Sequence, residues 1–228
     1  MTEGATRKAK QAAKSLPKRS FSAPSRPPGP RAARQAERRQ SILEAALDEF
    51  AARGFAATRL DDVAARAGVA KGTIYLYFRD KESLFQELVR TLLSPLIGTL
   101  IDGHLADLPI RAVGEAIADL FVREIFGTRR KDVIRLIIAE GPRFPKLAEF
   151  YYHEVIERVL PAMRAIMVRA VARGELKSDA LARFPQLLVA PALMAIVWEG
   201  LFGRFAPLDV RALMRAHIDL LFGEGEVP

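Results

Sequence analysis

"GVAKGTIYLYFRDKESLF", residues 68–85, sets a glycine turn, a short helical segment and the capped start of another helix side by side. On a wheel of about 100° per residue, Ala70, Ile74, Tyr77 and Phe78 gather on one side, while Gly72 and Leu76 lie opposite, flanked by Thr73 and Tyr75. Ile74 and Phe78 are expected to pack inward, which leaves an outer face that is small, hydroxylated and aromatic, with Lys71 at its N-terminal end. A helix entering a DNA major groove needs a face that lets its backbone approach, which Gly72 allows. It also needs side chains that reach bases or phosphates, which Thr73 and Tyr75 supply. Lys81, in the first turn of the next helix, opposes the macrodipole there, and a nearby DNA phosphate would reverse that sign.

Working outward, Leu43, Ala46, Leu47 and Phe50 fall at i, i+3, i+4 and i+7 of a helix that starts near Arg31 and meets a stop at Gly54. The next helix is expected from Thr58, with its hydroxyl as cap, Asp61 at the capping-box position, and Leu60, Val63, Ala64 and Ala67 as the buried stripe. Gly68 ends it, and "GVA" leads straight into the helix predicted over 70–78. Two short helices joined by a tight glycine turn form a helix-turn-helix. Asp80 caps a longer helix carrying Leu84, Phe85, Leu88, Val89, Leu92, Leu93 and Leu96. Further helices are predicted at about 109–126, 130–139, 145–173, 184–203 and 209–222, punctuated by proline- and glycine-bearing segments such as "EGPRFP" (140–145). No run shows strand periodicity and no repeat is evident. The fold class is therefore all-α.

Half of the 228 residues are apolar, enough for a sizeable core, and the absence of cysteine excludes disulfides, thiolate metal sites and a cysteine nucleophile. That composition fits a reducing, cytoplasmic setting. Residues 1–40 hold 11 of the 35 Lys and Arg but 2 of the 27 acids, a formal +9 against −1 for the rest. Residues 1–30 mix those cations with Ser, Pro and Gly and read as a disordered basic tail, suited to act as an electrostatic arm on DNA. The longest uncharged apolar stretch, "LLVAPALMAIVW" (187–198), is too short to span a bilayer, so no membrane partner is expected.

Through "ILEAALDEFAARGFAATRLDDVAARAGVAKGTIYLYFRDKESLF" (42–85) the chain resembles the tetracycline-repressor-like transcription regulators. The resemblance implies an N-terminal three-helix helix-turn-helix DNA-binding domain over residues 31–82, and a helical ligand-binding and dimerisation domain over 83–228. It implies a homodimer that binds a double-stranded, near-palindromic DNA operator and answers to a small-molecule effector. It also implies operator contacts, largely to phosphates, at Thr58, Lys71, Thr73, Tyr75, Tyr77 and Lys81, beside the close approach at Gly72. Leu76 departs from the polar residue frequent at that position in the family, and either meets a thymine methyl or folds back on the protein.

Beyond residue 100 the resemblance thins. The segment 187–198 is apolar all round, so one of its faces is expected to meet a second subunit. Ala192, Ala195, Gly200 and Gly203 would allow close helix approach, with Val210, Leu213, Met214 and Leu221 on the last helix completing the interface. For an effector pocket the candidates are Phe121, Phe150, Tyr151, Met163, Met167 and Trp198, with His104, Glu140 and Tyr152 as polar anchors. The three histidines lack metal-ligand spacing, and no nucleotide-binding loop or nucleophile elbow occurs, so no metal, cofactor or catalysis is expected. The alternative is a small-molecule-binding or scaffolding helical protein without specific operator binding. It differs from the first reading in having no salt-dependent retention on DNA.

Overall fold

The computed structural model describes residues 29–101, 105 and 107–223, so all but the end of the expected tail, and His104, lie outside the described residues. The chain divides into two compact units, residues 1–36 and 37–228, and the packing below belongs to the second. Among the described residues the regular structure is helical throughout.

The first helix, α1 (Pro30–Ala57), breaks at Gly54, whose φ of +74° takes the chain out of the helical ladder. Phe55 then turns inward and becomes a hub. Its ring meets Phe50 at 5.4 Å, Phe85 at 6.3 Å and Phe144 at 4.9 Å. Burying each such ring is worth about 1.5–3 kcal/mol, so this cluster fixes where α1 ends. α2 (Leu60–Arg66) starts from Arg59 in an extended conformation with no side-chain cap. The expected Thr58 cap is corrected: its hydroxyl donates to Gly54 O at 2.8 Å instead, closing the turn left by the break.

α3 (Lys71–Ile74) is shorter than the predicted 70–78. After Ile74 the chain tightens, with Leu76 N–H donating to Thr73 O and Tyr77 N–H to Ile74 O, i to i−3 bonds of a narrower turn. α4 (Lys81–Leu92) begins with Asp80 accepting Ser83 N–H at 2.7 Å while Asp80 N–H donates to Ser83 Oγ at 3.3 Å, a reciprocal cap. α5 (Ser94–Ile101) continues after an interruption at Leu93, close to Pro95, which offers no N–H to the carbonyl of Thr91 one turn earlier. Lys81–Ile101 is long and apolar enough by composition to cross a membrane, yet Leu84, Phe85, Leu88 and Val89 are packed in the core.

The second half follows the predicted blocks with two local departures. α6 (Ile110–Leu120) runs into a π-helical turn, Phe121–Phe126. α7 (Arg130–Glu140) follows, and then α8 (Pro145–Tyr151), a second π-helical turn Tyr152–Ile156, and α9 (Glu157–Ala172) form one continuous rod. α10 (Ala180–Arg183) is a single turn; α11 (Gln186–Phe202) and α12 (Val210–Phe222) close the bundle, with α6 packed on α12. Pro191 inside α11 has no N–H for the carbonyl of Leu187. His217 on α12 takes that place, its Nε2 lying 3.0 Å from Leu187 O.

Candidate functional site

The first candidate surface is the outer face of α3 and its turn. Ile74 and Phe78 are buried, as the wheel requires, which holds the opposite face outward. Leu76 is 83% exposed and Tyr75 49% exposed. Leu76 therefore points away from the protein rather than folding back on it. Gly72 is exposed with no atom within 4 Å of the place a Cβ would occupy, so this face is flat and open there. Thr73 and Tyr77 are half-buried beside it.

The charges on this face are already engaged. Lys71 Nζ lies 2.7 Å from Asp61 on α2, and Tyr75 Oη donates to the same carboxylate at 3.4 Å. The hydrogen bond from Lys71 holds Asp61 below the ordinary carboxylate range, and Asp61 raises Lys71 in return. The network ties α2 to α3 and pre-sets the side chains on the outer face.

Two of the eight expected DNA-contacting residues are turned elsewhere. Thr58 is 2% exposed, with its hydroxyl spent on Gly54 O. Lys81 donates to Phe55 O and Ala56 O, both at 2.9 Å, with its ammonium 4.7 Å from the Phe55 ring centroid. The negative partner that a lysine at a helix N-terminus calls for is thus the carbonyl end of α1, within the protein.

The second candidate is a cavity of about 190 Å³ in the helical bundle. Leu93 at the junction after α4 and Leu96 and Ile97 on α5 line it, α7 contributes Ile134, and α11 contributes Leu188, Ala192 and Ile196. Both π-helical turns wall it, through Phe121 and Ile125 on one and Val155 and Ile156 on the other. Such a turn carries one extra residue and bulges the helix locally, a distortion frequent at functional sites. Of the expected pocket residues, Phe121, Tyr151 and Met163 line the cavity. Met167 is buried in the neighbouring core.

The other expectations for the pocket are corrected. Phe150 lies under the Arg90 guanidinium at 4.9 Å, and Tyr152 is exposed, edge-on to His153. Trp198 Nε1 donates to Ala206 O at 2.8 Å beyond the end of α11. Glu140 accepts the N–H of Phe55 at 3.0 Å. Tyr151, named for its ring, is the residue that brings a polar group to the cavity wall, and burial raises its hydroxyl pKa to about 12. Leu93, Leu96 and Ile97 went unassigned because their spacing reads as ordinary core.

The expected interface residues are also differently placed. Ala192, Ala195, Val210 and Met214 are buried within this chain. Leu213 and Leu221 pack partly on its core. A Cβ at Gly200 would meet Arg135 Nε at 2.8 Å, and one at Gly203 the backbone of Glu199. The outward face of α11 is instead Leu187, Ala190, Met194, Val197 and Leu201, spaced by alternating threes and fours.

Two family models match the chain: the one described as bacterial regulatory proteins, tetR family, over residues 42–88, and a tetracyclin repressor-like C-terminal domain over residues 110–221. The chain is 29% identical over 145 residues to the HTH-type transcriptional regulator SrpR of Pseudomonas putida, covering 64% of this chain and 66%, just under two thirds, of that protein. It is 31% identical over 186 residues to the HTH-type transcriptional regulator RutR of Escherichia coli O157:H7, covering 82% of this chain and 73% of that protein. Among solved structures, the transcriptional regulator FadR from Bacillus subtilis in complex with stearoyl-CoA superposes with a TM-score of 0.61 at 20% identity, covering 82% of this chain and 99% of that one. At that identity the likeness is one of fold.

Proposed function

Because the chain belongs to the tetR family of bacterial regulatory proteins, we propose that it is a ligand-responsive transcription regulator, acting as a repressor on a near-palindromic operator. Members of this family are DNA-binding proteins rather than enzymes. The observation that carries the reading is the outward face of α3, where Lys71, Gly72, Tyr75 and Leu76 stand exposed on a scaffold fixed by buried Ile74 and Phe78. That is the geometry of a recognition element, with a flat N-terminal face for the groove and side chains that reach beyond it.

The same reading makes the protein a homodimer through the apolar outward face of α11, which sets two such elements one helical turn of DNA apart. It makes the bundle cavity the effector site, and the cavity's apolar wall selects a mainly apolar molecule. The Bacillus FadR complex holds stearoyl-CoA, a ligand whose acyl part is apolar although its coenzyme A part is charged. A space of about 190 Å³ is too small for so long a chain, so the effector here is a smaller molecule. Filling the cavity shifts α5 and α7, which share its wall, and with α5 the adjoining α4, which leads to the DNA-binding helices, and so spoils the spacing of the two elements.

Selection from a random duplex pool tests the reading. The expected products are inverted repeats, bound with a steep salt dependence and released by apolar compounds. Recovery of duplexes without any shared element would remove operator binding and leave the scaffolding alternative.

A further inference from the structure

Among the described residues that line the bundle cavity, only Tyr151 carries a side-chain oxygen or nitrogen. Its hydroxyl makes no hydrogen bond to any described residue. No lysine, arginine, aspartate or glutamate is among the described residues of the wall. Tyr151 is half-buried and its hydroxyl is not sealed off by the protein, so it is open to bond whatever occupies the cavity, as a phenylalanine is not.

The dimensions narrow the ligand further. A cavity of 150 Å³ lined by Leu, Ile and Phe takes up benzene, and this one measures about 190 Å³ with walls of the same kind. One substituted six-membered ring, or a branched aliphatic molecule of similar bulk, fills it. From the lone hydroxyl, the wall without charge and the volume, and resting on the reading of this cavity as the effector site, we infer that the effector is an uncharged molecule of about one ring that carries a single hydrogen-bonding group, a phenol, alcohol or carbonyl, held by Tyr151. Tyr151 donates to a carbonyl or accepts from a hydroxyl, so either polarity of ligand is served. A carboxylate is disfavoured, since none of the described residues of the wall pairs with it and its desolvation goes uncompensated.

The test uses the full chain and three probes of nearly one shape: p-cresol, p-xylene, in which a methyl replaces the hydroxyl, and 4-methylbenzoate, which is ionised at pH 7. Binding is measured by calorimetry to wild type, Tyr151→Phe and Ala192→Leu, with helicity checked by circular dichroism. Wild type is expected to favour p-cresol over p-xylene by about fivefold to tenfold, the value of one net hydrogen bond, and to bind 4-methylbenzoate more weakly than either. Tyr151→Phe is expected to abolish the preference for cresol and turn it towards xylene, by weakening cresol alone, since the cresol hydroxyl then lies in the cavity without a partner. Ala192→Leu intrudes on the cavity and is expected to abolish binding of both neutral probes.

A preference for cresol that survives in Tyr151→Phe, or carboxylate binding as tight as cresol binding, overturns the inference while leaving an apolar effector site in place. Neutral probes that bind neither protein, or that bind Ala192→Leu as well as wild type, overturn the effector-site reading itself.

Discussion

Glu140 Oε1 accepts the backbone N–H of Phe55 at 3.0 Å, joining the end of α7 to the end of α1 across 85 residues of sequence. The donor exists because Gly54 breaks the helix and takes Phe55 N–H out of the i−4 ladder. The same break leaves Phe55 O and Ala56 O free for Lys81, and Gly54 O free for Thr58. One glycine thus creates four orphan backbone groups, and three side chains satisfy them.

The first prediction follows from that arrangement. Glu140→Ala leaves a buried N–H without a partner and is expected to cost about 1–3 kcal/mol in urea denaturation, whereas Glu140→Gln keeps an acceptor and costs less than about 1 kcal/mol. Gly54→Ala is expected to cost at least as much as Glu140→Ala. Its φ of +74° is unfavourable for alanine, and the new Cβ would sit 2.5 Å from Glu140 Oε1. Equal stability of Glu140→Ala and wild type would mean that the bond contributes nothing.

The helix-turn-helix was legible because its signals are local: apolar spacing on the wheel placed Ile74 and Phe78 inside, and Asp80 announced its cap. What escaped were partners chosen by the fold. Nothing in the neighbourhood of Thr58 or Lys81 in sequence says that the carbonyls at the end of α1 are open, because that depends on Glu140, Phe144 and Phe85 arriving from later helices. The apolar segment of α11 shows the opposite limit. Its composition is uniform around the helix, so periodicity could not say which side faces in, and the small Ala192 and Ala195 proved to be the inward side. A cavity is harder still, since it is a place where side chains fall short of one another.

The second prediction separates two lysines that sequence reading treated alike. Asp61 competes with DNA for Lys71, lying 2.7 Å from its ammonium. Asp61→Asn should free that cation and tighten binding to any duplex by roughly threefold to tenfold at low salt, steepening the plot of log K against log salt by up to about one unit. Lys81→Met should leave that slope unchanged and lower thermal stability instead, because its ammonium is bonded to Phe55 O and Ala56 O. Weaker DNA binding by Asp61→Asn, or a flatter slope for Lys81→Met, would reverse these roles.

A third prediction concerns pH. Burial lowers the pKa of His217, against the hydrogen bond to Leu187 O that raises it. The fold therefore favours the neutral ring. The unfolded chain binds the proton more readily, so this contribution is complete above the ordinary value of 6.5 and is lost as pH falls through the lower folded value. His217→Gln can still donate to Leu187 O but does not titrate. Between pH 7.5 and pH 5.5 the melting temperature of wild type should fall further than that of His217→Gln. His153 acts in the opposite sense, since its hydrogen bond with Glu157 raises its pKa, but it is common to both proteins and cancels in the comparison. Parallel melting curves across that range would mean that His217 contributes nothing to the pH dependence.

The last prediction tests the dimer through the outward face of α11. Leu187, Ala190, Met194, Val197 and Leu201 recur at three- and four-residue intervals along one side, the spacing of a helix–helix seam. Within this chain that seam has large apolar side chains standing in solvent: Met194 is half exposed and Leu201 is 61% exposed. Phe205, just beyond the helix, is exposed as well. A monomer rarely leaves so continuous an apolar line uncovered, and pairing with the same line on a second copy covers it by symmetry. Leu201→Glu with Met194→Glu places charges in the seam without touching Ala192, Ala195 or Ile196, which hold α11 to its own bundle. The double variant should sediment as a monomer at micromolar concentration and keep its helical circular dichroism. It should still bind p-cresol in the cavity and should lose most of its preference for an inverted repeat over a single half-site. A variant that remains dimeric with wild-type operator affinity would place the interface elsewhere on the molecule.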